Sequence, residues 1–154
     1  MELLRITIPM KLAWRYSSGK YFGKFISMLK ERKIFAVRCG VCRKVYLPPR
    51  PVCGNCFTEI NDWLEVGPSG VLRGFTVGFY NLLDPSTGQP RKVPFGIGLI
   101  QLDGADTLLN HYIDETDSSK LRTGLRVEPL WSEKRDGLLT DILHFRVYEF
   151  VDGK

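Results

Sequence analysis

Four cysteines, Cys39, Cys42, Cys53 and Cys56, are the side chains of this sequence best suited to chemistry, and the chain has no others. They form two Cys-x-x-Cys pairs, Cys39-Gly-Val-Cys42 and Cys53-Gly-Asn-Cys56, with ten residues between them. Each pair turns two sulfurs toward one point, and four thiolates in a tetrahedron suit zinc, with iron as the minor alternative. A four-cysteine site leaves no position for water or substrate, so the ion is expected to be structural, one per chain. The even count in paired spacing favours metal over disulfides or free thiols. Gly40 and Gly54, each directly after the first cysteine of its pair, are expected to let the backbone turn closely under the metal.

Little else in the sequence has catalytic potential. The two histidines, His111 and His144, sit in strand-like stretches with apolar neighbours and read as hydrogen-bonded sheet residues. Gly96-Ile-Gly98 is not a dinucleotide signature, because Gln101 stands where the third glycine belongs. With the cysteines engaged by metal, no nucleophile and base pair stands out. The residues alone do not describe an enzyme.

Composition sets the frame for these residues. The chain has 154 residues, 44% hydrophobic and 12% aromatic, enough to bury a core. Charge is uneven: residues 1–60 hold 12 Lys/Arg against 3 Asp/Glu, and residues 61–154 hold 10 against 14. A basic first part points to an anionic partner, either nucleic acid or the phosphate-bearing end of a coenzyme, or else to a solvated basic face. No stretch reaches the ~18 apolar residues of a membrane helix. Arg5, Pro9, Lys11 and Arg15 break any signal-like run. Zinc thiolates imply a reducing compartment, so a cytoplasmic location is expected.

Three segments must position the cysteines. Residues 1–36 read as an N-terminal arm and a helix. Within them 4–12 alternate like a strand, and 18–32 form an amphipathic helix with Ser17 or Ser18 as its cap. Tyr21, Phe22, Phe25, Ile26 and Leu29 share its apolar face. That face packs either on the chain's own domain or on a partner protein; the ribbon that follows is too small to cover it, so docking onto a partner is expected. Residues 37–66 read as a zinc ribbon: a strand at 34–38 leads into the first knuckle, and a strand and a stiff proline turn separate the two. Residues 67–154 read as all-β. Strand candidates at 70–80, 95–102, 107–113, 125–131 and 141–149, with a tight hairpin at Asp103-Gly104, suit a five-stranded OB barrel. Glycines 70, 74, 78, 96 and 98 stand where such a barrel bends. The expected fold is mainly β, α+β overall.

The order of motifs carries a resemblance. An amphipathic helix precedes Cys-Gly-x-Cys. Leu47-Pro-Pro-Arg-Pro-x-Cys53-Gly-x-Cys56-Phe57 follows, then Gly70-x-Leu-x-Gly-Phe-Thr76, then Val93-Pro-Phe-Gly-Ile-Gly-Leu-Ile-Gln-Leu-Asp-Gly-Ala-Asp106. This resembles the acyl-CoA-associated family with a rubredoxin-like zinc ribbon and an OB fold, over nearly the whole chain. Gly54 departs from the proline that the family often has. The resemblance implies a non-catalytic accessory subunit of a thiolase or a 3-hydroxy-3-methylglutaryl-CoA synthase complex, with the reacting residues on the partner. Arg50, Arg91 and Lys92 are then candidates to contact CoA phosphates, Arg91 and Lys92 otherwise being a solvated loop tip. The alternative is a single-stranded nucleic-acid module, with Phe75, Phe79, Tyr80 and Phe95 as stacking platforms. The acidic β half argues against it, and those rings read more simply as barrel core.

Overall fold

The structure, a computed structural model, describes residues 17–83 and 88–148. The expected strand at 4–12, residues 84–87 and residues 149–154 lie outside those residues.

Helix α1 spans Gly19–Leu29, shorter than the expected 18–32. It stops because Arg32 adopts a left-handed φ of 58°, and the amides of Glu31, Arg32 and Lys33 turn back onto the carbonyls of Met28 and Leu29. Ser18 holds the N-cap position without a side-chain bond to the helix.

The apolar face of α1 does not wait for a partner. Phe25 and Leu29 are 0% exposed, in one buried cluster with Leu72, Ile100 and Phe145, and Phe22 and Ile26 pack against that cluster. Tyr21 belongs to the ribbon. It stacks on Trp63 at 5.4 Å and donates its hydroxyl to the Ile60 carbonyl at 2.7 Å. The docking role expected of Tyr21, Phe22, Phe25, Ile26 and Leu29 is therefore filled by the chain's own body. The expectation treated the ribbon as the helix's only neighbour, but the far end of the chain folds back to it. Arg135 donates from Nε to the Lys30 carbonyl at 2.9 Å, and Gly137 lies against the backbone of Ile26 and Ser27.

The ribbon sheet has β1 (Phe35–Arg38) between β2 (Val45–Tyr46) and β3 (Asp62–Glu65), all antiparallel. The barrel comprises β4 (Gly70–Gly78), β5 (Phe95–Leu102), β6 (Leu109–Ile113), β7 (Arg126–Trp131) and β8 (Ile142–Tyr148). It closes in the order β4-β5-β6-β8-β7, with Gly70 of β4 back against Val127 of β7. Its one parallel contact, Ile113 to Phe145, joins β6 to β8. The crossing at 114–124 contains a 3-10 turn at Ser118–Lys120, capped by the Asp117 carboxylate. This is the expected OB barrel. Close approach explains two of its glycines. A Cβ on Gly96 would lie 2.4 Å from the Glu115 carbonyl oxygen, and one on Gly70 2.5 Å from that of Gln101.

The β5–β6 connection differs from the expected tight hairpin. The turn is present, with Gly104 at φ 87° and the Ala105 amide donating to the Leu102 carbonyl at 3.0 Å. The loop nevertheless extends to residue 108, because its far side is pulled onto the ribbon. The Val45 amide donates to Asp106 Oδ2 at 2.8 Å, the Asp106 amide to the Val45 carbonyl at 2.9 Å, and the Leu47 amide to Thr107 Oγ1 at 2.7 Å. Ile34, Ala36, Val45 and Leu47 of the ribbon are buried in the same cluster as the barrel core. Helix, barrel and one side of the ribbon thus share an apolar interior, while Val37, Cys39, Tyr46, Cys53 and Ile60 form a second cluster at the cysteines.

Candidate metal centre and barrel pocket

The two knuckles are near copies of each other. Cys39 and Cys53 accept at their carbonyls from the amides of Arg43 and Phe57, both at 3.0 Å, and donate from their own amides to the carbonyls of Lys44 and Thr58, both at 2.9 Å. The residue that makes each turn is not the expected glycine. Gly40 and Gly54 do not take a left-handed φ, and a Cβ on Gly40 would meet nothing within 4 Å. The left-handed positions are Arg43 at φ 64° and Phe57 at φ 56°, each directly after the second cysteine of its pair. Such a conformation costs a residue with a Cβ ~1–2 kcal/mol.

The four sulfurs lie within 4.8 Å of one another, and Cys42 and Cys53 are 3.6 Å apart. Zinc–sulfur bonds of ~2.3 Å in a tetrahedron require sulfur separations of about 3.8 Å, so the cage fits the ion. The four cysteines are the ligand set of one structural zinc. Its surroundings are arranged for negative charge. The Tyr46 hydroxyl lies 3.3 Å from Cys53 Sγ, and the amides of Asn55 and Cys56 donate to that sulfur at 3.4 Å. The Tyr46 hydroxyl bond, opposed by burial and helped by those amides, lowers the Cys53 thiol to about 6. Cys39 is lowered, chiefly by the Cys42 amide. Cys56 is pushed up to about 12 by its hydrogen bond with Cys42 and by burial. Four thiolates this close repel one another too strongly to be ionised together without a cation among them.

Tyr46 was not legible as a site residue, because nothing in its spacing from Cys53 marks it. It receives the Gly54 amide at 3.1 Å while its ring underlies the Arg50 guanidinium at 5.4 Å and Lys44 Nζ at 5.7 Å. Tyr46→Phe is expected to keep the fold and weaken zinc binding ~10–100-fold, the usual effect of removing an outer partner of a metal ligand. Competition with a chromophoric chelator measures it, and an unchanged affinity would remove Tyr46 from the centre.

The barrel carries a second feature that the sequence did not announce. A pocket of about 500 Å³ opens on its face, lined by Arg91, Asn110, His111, Tyr112, Leu139 and Leu143 among others. The Arg91 guanidinium lies over the Tyr112 ring, 3.8 Å from its centroid, and the Arg91 amide donates to the Leu82 carbonyl at 2.7 Å. His111 is set edge-on to Phe145 at 5.4 Å, its nitrogens 3.5 Å from the carbonyls of Tyr112 and Leu139. Burial pushes its pKa down, so the ring is neutral at pH 7. The wall at Leu139 is held by Asp141, a buried carboxylate that accepts from the amides of Asp136, Gly137 and Leu138 at 3.0, 2.8 and 3.2 Å. Lys92 is exposed beside Arg91, and Arg50 belongs to the ribbon, so the three cations expected near a coenzyme fall in two places. Of the four aromatic rings read as barrel core only Phe95 is buried. Phe75, Phe79 and Tyr80 are exposed, because they fall on the outer side of β4 and in the loop after it.

The same architecture is found in known proteins. Residues 27–61 match the ChsH2 rubredoxin-like zinc ribbon domain, and residues 63–132 match the ChsH2 C-terminal OB-fold domain. The chain belongs to this zinc-ribbon/OB-fold family. Among solved structures, one described as "Ltp2-ChsH2(DUF35) aldolase" is similar at a TM-score of 0.64 and 21% identity, over 86% of this chain and 98% of that one. A DUF35-family protein of unknown function from Sulfolobus solfataricus is similar at 0.59 and 21%, over 84% of each chain. At that identity the likeness is one of fold. No curated protein sequence matches the chain. Among the described residues no helix is long and apolar enough to cross a membrane.

Proposed function

We propose that this ChsH2-family chain is a non-catalytic, zinc-stabilised accessory subunit of an acyl-CoA-processing complex, with a thiolase-type subunit supplying the reacting groups. The observation that carries the reading is the match of both domains, in order, to the ribbon and the OB fold of ChsH2. A structural relative whose description pairs ChsH2 with a second protein, Ltp2, supports it. The chemistry of the chain's own groups is consistent with it. The cysteines are metal ligands, and His111 is packed between two carbonyls rather than aimed at a nucleophile. In this reading the barrel pocket borders the substrate channel. Arg91 and Lys92 at its side, and Arg50 on the ribbon, are candidates for the phosphates of CoA. A biosynthetic acetoacetyl-CoA thiolase and a degradative one fit equally, and a 3-hydroxy-3-methylglutaryl-CoA synthase is the other partner class. The cytoplasm is the proposed compartment.

Recovery of the tagged chain from its native cells tests this. A thiolase-fold chain in fixed ratio is expected, with turnover of CoA thioesters only in the assembled preparation. Turnover by the isolated chain would contradict the non-catalytic assignment. The exposed rings of Phe75, Phe79 and Tyr80 favour a second reading, single-stranded nucleic-acid binding. Recovery of the chain with RNA and without a protein partner would support that reading over the first.

A further inference from the structure

With the apolar face of α1 buried in the chain's own core, the surface that meets a partner must lie elsewhere. Phe57 is 82% exposed, more than any other large apolar side chain among the described residues, and Val41 of the other knuckle is 68% exposed. Both ride on one rigid metal centre, since the four sulfurs they flank lie within 4.8 Å of one another. Phe57 also occupies a left-handed position at which glycine would make the same turn without strain. The stability of the free chain therefore does not account for a phenylalanine there, and neither does burial. The matching position of the first knuckle, Arg43, is equally left-handed and also exposed. The two knuckle positions where a side chain carries a backbone cost thus hold an aromatic ring and a guanidinium, the types enriched in interfaces. Strain retained at such a place points to use of the side chain.

Charge indicates what the tip meets. Residues 17–61 contain nine Lys/Arg and two Asp/Glu. Of these nine only Arg38 forms a side-chain ion pair among the described residues, to Asp62. Arg43, Lys44 and Arg50 surround the knuckles.

We infer that the zinc-knuckle tip, Phe57 with Arg43 and Val41, is a docking anchor that inserts into an apolar socket rimmed by Asp and Glu on a protein partner. The inference rests on the accessory-subunit reading. Its test is Phe57→Gly in the full chain, recovered from native cells through a tag, beside Phe57→Ala and a photo-crosslinking benzoylphenylalanine at 57. Phe57→Gly should keep its zinc and melt at or above the wild-type temperature, while affinity for the co-purifying subunit falls about tenfold or more. Phe57→Ala should lose the same affinity without the gain in stability. Rising salt should weaken the wild-type complex. A protein cross-linked from position 57 through an acidic segment supports the inference. Unchanged affinity in both variants overturns it and leaves the subunit reading standing. A wild-type chain that recovers no partner overturns both, and a nuclease-sensitive cross-link to RNA overturns the protein socket.

Discussion

Phe25→Asp is expected to abolish cooperative folding of the chain, ribbon and barrel together. Phe25 is 0% exposed in the cluster that also holds Ile34, Leu47, Leu72 and Phe145. Truncating a buried Phe to Ala costs ~3–5 kcal/mol, and a buried unpaired carboxylate costs several more, against a total stability of ~5–15 kcal/mol for a domain. The milder Phe25→Ala is expected to fold but melt roughly 10 °C or more lower, since about 1 kcal/mol moves a chain of this size by ~2–4 °C. Lys20→Asp, on the exposed side of α1, is the control and should change little. Thermal denaturation followed by circular dichroism measures all three. A Phe25→Asp chain with wild-type melting would mean that α1 is not part of the core.

The difference between this outcome and the one the sequence suggested shows which information was local. The metal ligands were legible because two Cys-x-x-Cys pairs state their chemistry through residue type and spacing. The barrel strands were legible too, from apolar runs separated by Asp-Gly, Pro and Gly signals, and β5 at Phe95–Leu102 falls where its pattern places it. The amphipathicity of α1 was equally plain, but a helical stripe records that a face is covered and not by what. The cover comes from β1 and, over a hundred residues on in sequence, from the loop at Arg135–Gly137 and the 3-10 turn at Leu139–Asp141. The six-residue β5–β6 loop was misread for the same reason. Asp106 and Thr107 leave the local hairpin geometry to hydrogen-bond with Val45 and Leu47. The pocket wall depends on Asp141 collecting three amides of its own loop, and an aspartate near a turn has many simpler uses. At the knuckles the sequence drew attention to the glycines, while the backbone assigns the left-handed turn to Arg43 and Phe57.

Loss of zinc is the other change with a large expected effect, and it should spread beyond the ribbon. Cys53 is 0% exposed, and its sulfur gathers the Tyr46 hydroxyl and two amides. Cys53→Ala removes one ligand and leaves those donors facing a cavity. Structural zinc contributes ~10–16 kcal/mol of binding free energy, much of it expressed as folding, which is comparable to the stability of the whole domain. A ribbon joined to the barrel by a flexible linker would unfold alone. Here Ile34, Ala36, Val45 and Leu47 are core residues of the common interior, and the β5–β6 loop is bonded to β2. Cys53→Ala, or chelation of the wild type, is therefore expected to destabilise ribbon and barrel together, so that both melt in one transition at much lower temperature. Acid should act in the same direction. The Cys53 thiol, lowered from 9.0 to about 6, is the readiest to stay ionised. What its ionisation contributes to the metal-free fold is complete above pH 9 and disappears as pH falls through about 6. Cys56, raised to about 12, has the opposite sign: it favours the metal-free fold below pH 9, and that contribution is lost as pH rises through 12. At neutral pH the metal must therefore displace the Cys56 proton on binding, so zinc uptake by the apo chain should release protons and its affinity should fall on acidification. Calorimetry in two buffers of different ionisation heat counts those protons, and metal analysis across pH 5–8 follows the release. A chelated chain whose barrel melts at the wild-type temperature would show instead that the ribbon is energetically separate, despite the shared core.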